Sequence, residues 1–336
     1  MTKKPGLILA LFGAMAASLF AQAGSQDSSD AGKHAEAAKK LAGTEWAQEA
    51  AFFCSTEKEV AAMHILPSAV QNDPPETQRA EPMKVFDNLY FVGTKSVATW
   101  IITTPEGYIV IDSGNPGEEQ TTLLPGMLKL GLDPAKIKDV LITHGHSDHY
   151  GGAWYLQEHY GSHIYMSQLD WDFIQPKPGA KPPAGAGGAL PKRDRVVADG
   201  EPVVLGGEQV TPVFIPAHTP GSMAFIFPVT DNGKRHMAAL FGGTILSPAD
   251  RFPASLFEQY SNSIQHFESV AREMQADVEL ENHPIMDGTF DKMAALKNRK
   301  PEQPNPFVVG EEGVEKFSGV TLECTKAQIL RHGGKI

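Results

Sequence analysis

Cysteine is scarce in this chain of 336 residues: it has two, Cys54 and Cys324, and neither lies near the histidine-rich stretch. That excludes a Cys-rich structural zinc site and a small disulfide-dense scaffold. Positive charge is also short, with 29 Lys and Arg against 40 Asp and Glu for a net charge of -11. The basic footprint of a nucleic-acid binder is therefore missing, and a small-molecule substrate is expected instead. Only one long apolar run occurs before the histidines, Leu7 to Phe20, preceded by Lys3 and Lys4 and followed by Ala21-Gln22-Ala23. The pattern reads as a secretory signal peptide over residues 1–23, too short to span a bilayer, with an N-terminal core helix as the alternative. Cleavage would remove two lysines and take the charge from -11 to -13. No Cys follows the cleavage site to carry a lipid, so the expected product is periplasmic or secreted and has no membrane anchor. In an oxidising compartment Cys54 and Cys324 either form a bridge, tying the N-terminal extension to the last helix, or remain as two buried thiols.

The informative stretch is Leu141-Ile142-Thr143-His144-Gly145-His146-Ser147-Asp148-His149. Val140 to Ile142 reads as a buried strand end, after which four potential metal ligands fall on a loop. Alternation brings His144, His146 and Asp148 to one side, while His149 points toward a neighbouring position, which suits two metals better than one. Imidazole with carboxylate favours zinc. Two further histidines sit where strands give way to turns: His218 after Val213 to Ala217, and His283 before Pro284, which disfavours helix there.

Around these lies a β-rich chain with helices between and after the strands. Residues 24–82 read as an N-terminal helical extension and linker, with one or two short helices over Ala35 to Cys54 broken near Gly43, after a small, polar Gly24 to Lys33. Residues 83–336 then form one domain. Its strands fall at 88–93, 98–104, 108–112 and before Thr143, then at 202–205, 209–215, 223–229 and 236–241. Asp112 ends its strand near the ligand loop, either to orient that loop or a ligating His by hydrogen bonding or as a solvated turn carboxylate. Phe257, Tyr260, Ile264, Phe267, Val270 and Met274 mark a long amphipathic helix, and Val314, Phe317, Thr321 and Cys324 share a face in the last one. Pro176 to Pro191 is too rich in Pro and Gly for a helix or central strand. It is either a wall or lid over the site, with Trp171 and Phe173 beside it, or a surface insertion. The other histidines, His34, His64, His159, His163, His236, His266 and His332, lack partner motifs and are expected to be structural or solvated.

From about Val85 to the last helix, the chain resembles metallo-β-lactamase-fold hydrolases and is most similar to the third subclass of metallo-β-lactamases. The resemblance rests on Val110-Ile111-Asp112-Ser113-Gly114, Thr143 to Gly152, Gly200 with Glu201, Ala217 to Ser222, Phe241-Gly242-Gly243-Thr244 and Asn282-His283-Pro284. It implies an α/β four-layer αββα sandwich. It also implies two zinc ions, one on His144, His146 and His218 and the other on Asp148, His149 and His283. A zinc-activated water would then attack an amide or related carbonyl, with Asp148 as the catalytic proton relay.

Thioesterase and lactonase branches of this superfamily place an Asp near Thr244, and other lactamase subclasses use a Cys ligand; this chain offers neither. The third subclass commonly has Ser-x-Ser here, whereas this chain has Thr244-Ile245-Leu246, so Trp171, Thr244 and Leu246 are the expected substrate-pocket residues. The leading expectation is a zinc-dependent β-lactamase or β-lactamase-like hydrolase. The alternatives are a dinuclear zinc hydrolase of a lactone, ester, amide or halogenated aromatic, and a non-catalytic zinc-binding protein.

Overall fold

The computed structural model describes residues 29–56, 58–59, 75–175, 187–244 and 252–336. The expected signal peptide, His64, Leu246 and residues 176–186 of the Pro/Gly-rich stretch lie outside them. Among the described residues the extension forms α1 (Asp30–Ala42) and α2 (Ala47–Phe53), separated at Gly43 with φ 58°, and a single helical turn at Pro75–Gln78. Helix α1 starts earlier than its alanine content predicts, because the Ser29 side chain accepts a hydrogen bond from the Gly32 N–H and caps the first turn. Buried Ala31, Ala35, Ala38 and Ala42 line one face at helical spacing.

The first sheet has seven strands in sequential order: β1 (Met83–Lys84), β2 (Leu89–Gly93), β3 (Ala98–Thr104), β4 (Gly107–Ile111), β5 (Ile137–Leu141), β6 (His163–Ser167) and β7 (Arg195–Val197). Pairing is antiparallel up to β4 and parallel from β4 to β7. Parallel neighbours need crossovers, and these supply α3 (Leu124–Lys129), α4 (Ser147–Tyr150), α5 (Ala153–Tyr160) and α6 (Gln168–Ile174). The second sheet contains β8 (Val203–Leu205), β9 (Glu208–Phe214), β10 (Met223–Asp231), β11 (Lys234–Phe241) and β12 (Val278–Glu281), in the order β12-β11-β10-β9-β8. Three helices follow or interrupt it: α7 (Ala254–Glu273), α8 (Thr289–Lys297) and α9 (Gly310–Arg331).

Period-two alternation divides the strand side chains between layers. Trp100, Ile102, Ile111 and Leu141 of the first sheet meet Phe225, Phe227, Leu240 and Leu280 of the second. On the outer face of the first sheet, Ile101, Val110 and Val140 pack on Met127 and Leu156. On the outer face of the second, Ile226, Ala239 and Phe241 pack on Phe257, Tyr260, Phe267 and Phe317, together with Trp46 and Phe52 of the extension. The result is the αββα sandwich, with α1 and α2 inside one outer helical layer. Trp171 is corrected by this packing: it is fully buried with the first sheet's outer core, and its indole N–H donates to the Arg195 carbonyl at 2.7 Å.

Strand β12 is covered on both faces. Val278 and Leu280 enter the inter-sheet core, while Glu279 and Glu281 are buried near Glu49 and Asp287. Lys292 Nζ lies 3.3 Å from Asp287 and 3.8 Å from Glu279. Burial pushes the Glu49, Glu279 and Glu281 carboxyls well above the usual carboxylate range, which favours their neutral forms.

Cys54 and Cys324 form a disulfide across 270 positions of sequence, joining the end of α2 to α9. Closing so long a loop restricts the unfolded chain, a contribution of about 2–4 kcal/mol. Reduction, or the Cys54→Ala/Cys324→Ala pair, is expected to lower the calorimetric melting temperature by several degrees while leaving the far-UV spectrum unchanged. An unchanged melting temperature would contradict this.

Candidate metal centre

Six sequence-predicted side chains meet at one end of the sandwich, where β5, β9 and β12 run out into loops. Parallel strands β4 and β5 end side by side there, the position at which open α/β sheets build sites. His144, His146 and His218 present ligand atoms within 4.8 Å of one another, and so do His144, Asp148 and His149. His283 adjoins the second group, with its Nε2 3.3 Å from His149 Nε2.

Three of the five rings are oriented from behind. His144 Nδ1 faces the Gly242 carbonyl at 2.8 Å, and His283 Nδ1 faces the Ser96 carbonyl at 2.7 Å. A carbonyl oxygen only accepts, so both Nδ1 atoms carry hydrogen and both Nε2 atoms present lone pairs. His149 Nδ1 lies 2.7 Å from Asp112 Oδ2, which fixes its tautomer in the same way. Asp112 itself stands at φ 59° and accepts from the Thr143 N–H and hydroxyl, each at 2.8 Å. This buried carboxylate orients the loop and one ring together, and the solvated-turn alternative does not hold.

The donor set fits a divalent metal on these observations. His149 and His283 Nε2 face each other at 3.3 Å, and His218 and His144 Nε2 at 3.1 Å. In the first pair neither nitrogen carries hydrogen when the rings are neutral, so two lone pairs oppose one another unless a cation lies between them. Burial first, then the neighbouring imidazoles, depresses His144 well below the usual histidine range and brings His283 to about 4. Burial lowers His146 as well. These rings therefore stay uncharged at neutral pH, the form that ligates. Burial would also depress His149, but Asp148 and Asp112 outweigh it and raise that ring. For Asp148 burial opposes ionisation, yet His149, His283 and His146 hold its carboxyl below the usual range. Its side chain keeps 19% of its surface open.

Residues 92–231 match the family profile described as the metallo-beta-lactamase superfamily. The chain carries a metallo-beta-lactamase domain. Its fold is shared with a subclass B3 metallo-beta-lactamase of Bradyrhizobium japonicum at 26% identity and a TM-score of 0.64, over 76% of this chain and 96% of that one. A metallo-beta-lactamase from Legionella gormanii gives 23% identity and a TM-score of 0.65 over 77% and 99%. Among curated relatives, a hydroxyacylglutathione hydrolase of Haemophilus influenzae is 32% identical over 118 residues, 33% of this chain and 53% of that protein. Another from Gloeobacter violaceus is 29% identical over 163 residues, 48% and 54%. The chain spans about half the length of these two curated relatives.

The Thr244 hydroxyl is turned inward. Thr244 is buried, its hydroxyl donates to Glu281, and its carbonyl accepts from the Tyr260 hydroxyl at 2.8 Å. Gly242 has no room for a side chain, since a Cβ would lie 2.2 Å from the Met223 carbonyl and 2.6 Å from Thr143. Sequence reasoning missed Asp170. Fully buried, it accepts from the Gly145 N–H at 2.7 Å, the Thr219 hydroxyl at 2.6 Å and the Gly221 N–H at 2.8 Å. It thereby fastens the His146 loop to the His218 turn. Its only local sign was an acid in the first turn of a helix capped by Ser167, a common solvent-facing pattern.

Burial raises the Asp170 carboxyl to about 6, with the three donated hydrogen bonds limiting the rise. A raised folded-state value means the contribution is full below about 4 and is lost as pH rises through about 6. In urea unfolding of metal-free protein, the Asp170→Asn variant is expected to lack a fall on the order of 2–3 kcal/mol between pH 4 and 7. A variant retaining the full wild-type slope would remove this role.

Proposed function

We propose that this chain is an exported, zinc-dependent hydrolase of β-lactamase-like activity, opening a cyclic amide or a related carbonyl compound. One zinc is assigned to His144, His146 and His218, and a second to Asp148, His149 and His283. The carrying observation is the meeting of these six side chains around one point, with the His149 and His283 Nε2 atoms 3.3 Å apart and both bearing lone pairs in the neutral rings. Zinc bound there supplies Lewis acidity and lowers the pKa of water from about 16 toward roughly 7.

The chain's own residues do the rest. The ionised Asp148 carboxylate accepts a hydrogen bond from the attacking water, holds it toward the carbonyl carbon, and passes a proton to the departing nitrogen. Asp112, Ser96 and the Gly242 carbonyl keep three imidazoles from rotating, so the site is set before substrate arrives. Export is supported by the signal-like N-terminal sequence and by the Cys54–Cys324 bridge. Among the described residues no helix is long and apolar enough to cross a membrane.

A second reading, thioester hydrolysis, is favoured by the curated hydroxyacylglutathione hydrolases. It fits less well at Gly242-Gly243-Thr244, where that branch resembles others in using a carboxylate. None of Gly242, Gly243 and Thr244 carries one, and the buried Glu281 beside them is taken up by the Thr244 hydroxyl.

Zinc-loaded protein is expected to hydrolyse a chromogenic cephalosporin faster than an S-acyl-glutathione thioester, and chelator should abolish both. His218→Ala is expected to lose at least a hundredfold in kcat/KM, about 3 kcal/mol, and one equivalent of zinc by elemental analysis. Full activity with both metals in that variant would overturn the assignment. Preference for the thioester would select the second reading.

A further inference from the structure

A cavity of about 840 Å³ opens between the segment leading into β1 and helix α8, and none of the six proposed metal ligands lines it. Its size is that of a small-molecule site. Met83, Ile285, Phe290 and Met293 supply an apolar interior. Phe290 stands edge-on to Phe91 at 6.0 Å between centroids, so this wall is continuous with the inter-sheet core.

The charged residues at the cavity are unevenly matched. Arg79, Lys95 and Lys297 line it and are exposed, and none has an ion-pair partner among the described residues. Glu81 is held by Lys129 at 2.6 Å, which leaves Asp291 as the one acid in the lining without a cation partner among the described residues. In a protein of net charge -11, this apolar cavity is edged by three unpaired cations against one unpaired acid, a locally positive rim. It attracts an anion, while the interior beneath favours hydrocarbon.

We propose that this cavity binds an anionic amphiphile, with an apolar body in the interior and one negative head group among Arg79, Lys95 and Lys297. A neutral apolar occupant would leave the cations uncompensated, and a cationic one would be repelled. A polyanion would match the rim but leave the apolar interior exposed to water. The cavity backs onto the metal centre through the chain itself. Lys95 precedes Ser96, whose carbonyl holds His283, and Pro284 follows His283.

Laurate, titrated calorimetrically below its micelle concentration into zinc-loaded full-length protein, is the probe. Saturable micromolar binding of one equivalent is expected, with dodecanol at least tenfold weaker because it lacks the charge. Ala294→Trp, at an exposed position of α8 that lines the cavity, should abolish binding by filling the space. Lys95→Glu/Lys297→Glu, two surface changes, should weaken it at least tenfold with an unaltered thermal melt. Absence of saturable heat, equal affinity for dodecanol, or laurate binding unchanged in the charge-reversed protein would overturn the proposal. None of these readouts depends on hydrolysis, so the outcome is independent of the catalytic assignment.

Discussion

The histidine-rich end of this molecule depends first on one buried carboxylate. Asp112 leaves β4 in a left-handed conformation, with φ 59°, and accepts from the Thr143 N–H, the Thr143 hydroxyl and His149 Nδ1. A buried carboxylate is costly unless its lone pairs are matched, and three donors match them here. The strained backbone and the buried acid are both tolerated because β4 and β5 pair from Ile109 with Asp139 to Ile111 with Leu141, fixing where Thr143 arrives. That register, in turn, rests on the alternating core of Val110, Ile111, Val140 and Leu141.

Two further buried side chains carry this order across to the second sheet. Asp170 joins the Gly145 and Gly221 backbones, and so holds the loops of His146 and His218 at a fixed separation. Asn282 donates to the Gly242 carbonyl at 3.0 Å and to the Thr143 hydroxyl at 3.1 Å, so the end of β12 is tied to both β11 and β5. Three loops from two sheets thereby close around a small volume. An αββα sandwich allows this because both sheets end on the same side of a shared core. On the far side of β12, Glu279 and Glu281 are buried beside Lys292 and Glu49, which brings the N-terminal extension against the strand that carries His283.

What the sequence made legible follows from local physics. The His144 to His149 cluster, the strand-ending positions of His218 and His283, and the helical stripe from Phe257 to Phe267 are patterns within a short window, and short windows obey propensity and periodicity. The break at Gly43 was visible for the same reason. Trp171 misled because an aromatic beside a Pro/Gly-rich stretch resembles a pocket wall; only the return of the chain at Arg195 shows that its indole is sealed in the core. Thr244 misled because a hydroxyl's direction depends on Glu281, distant in sequence. The alternation Val278-Glu279-Leu280-Glu281 suggests a strand with one wet face, yet all four are buried because helices cover the other side. Asp170 was invisible because its three partners come from loops it does not adjoin.

On the proposed function, metal ions occupy the space these six side chains enclose and separate the His149 and His283 Nε2 lone pairs. A crystal of zinc-loaded protein, with diffraction recorded above and below the zinc absorption edge, tests it most directly. Two anomalous peaks are expected, one within bonding distance of His144, His146 and His218 and the other of Asp148, His149 and His283. A map without a peak among these side chains, or with His218 or His283 rotated away from the others, would contradict it.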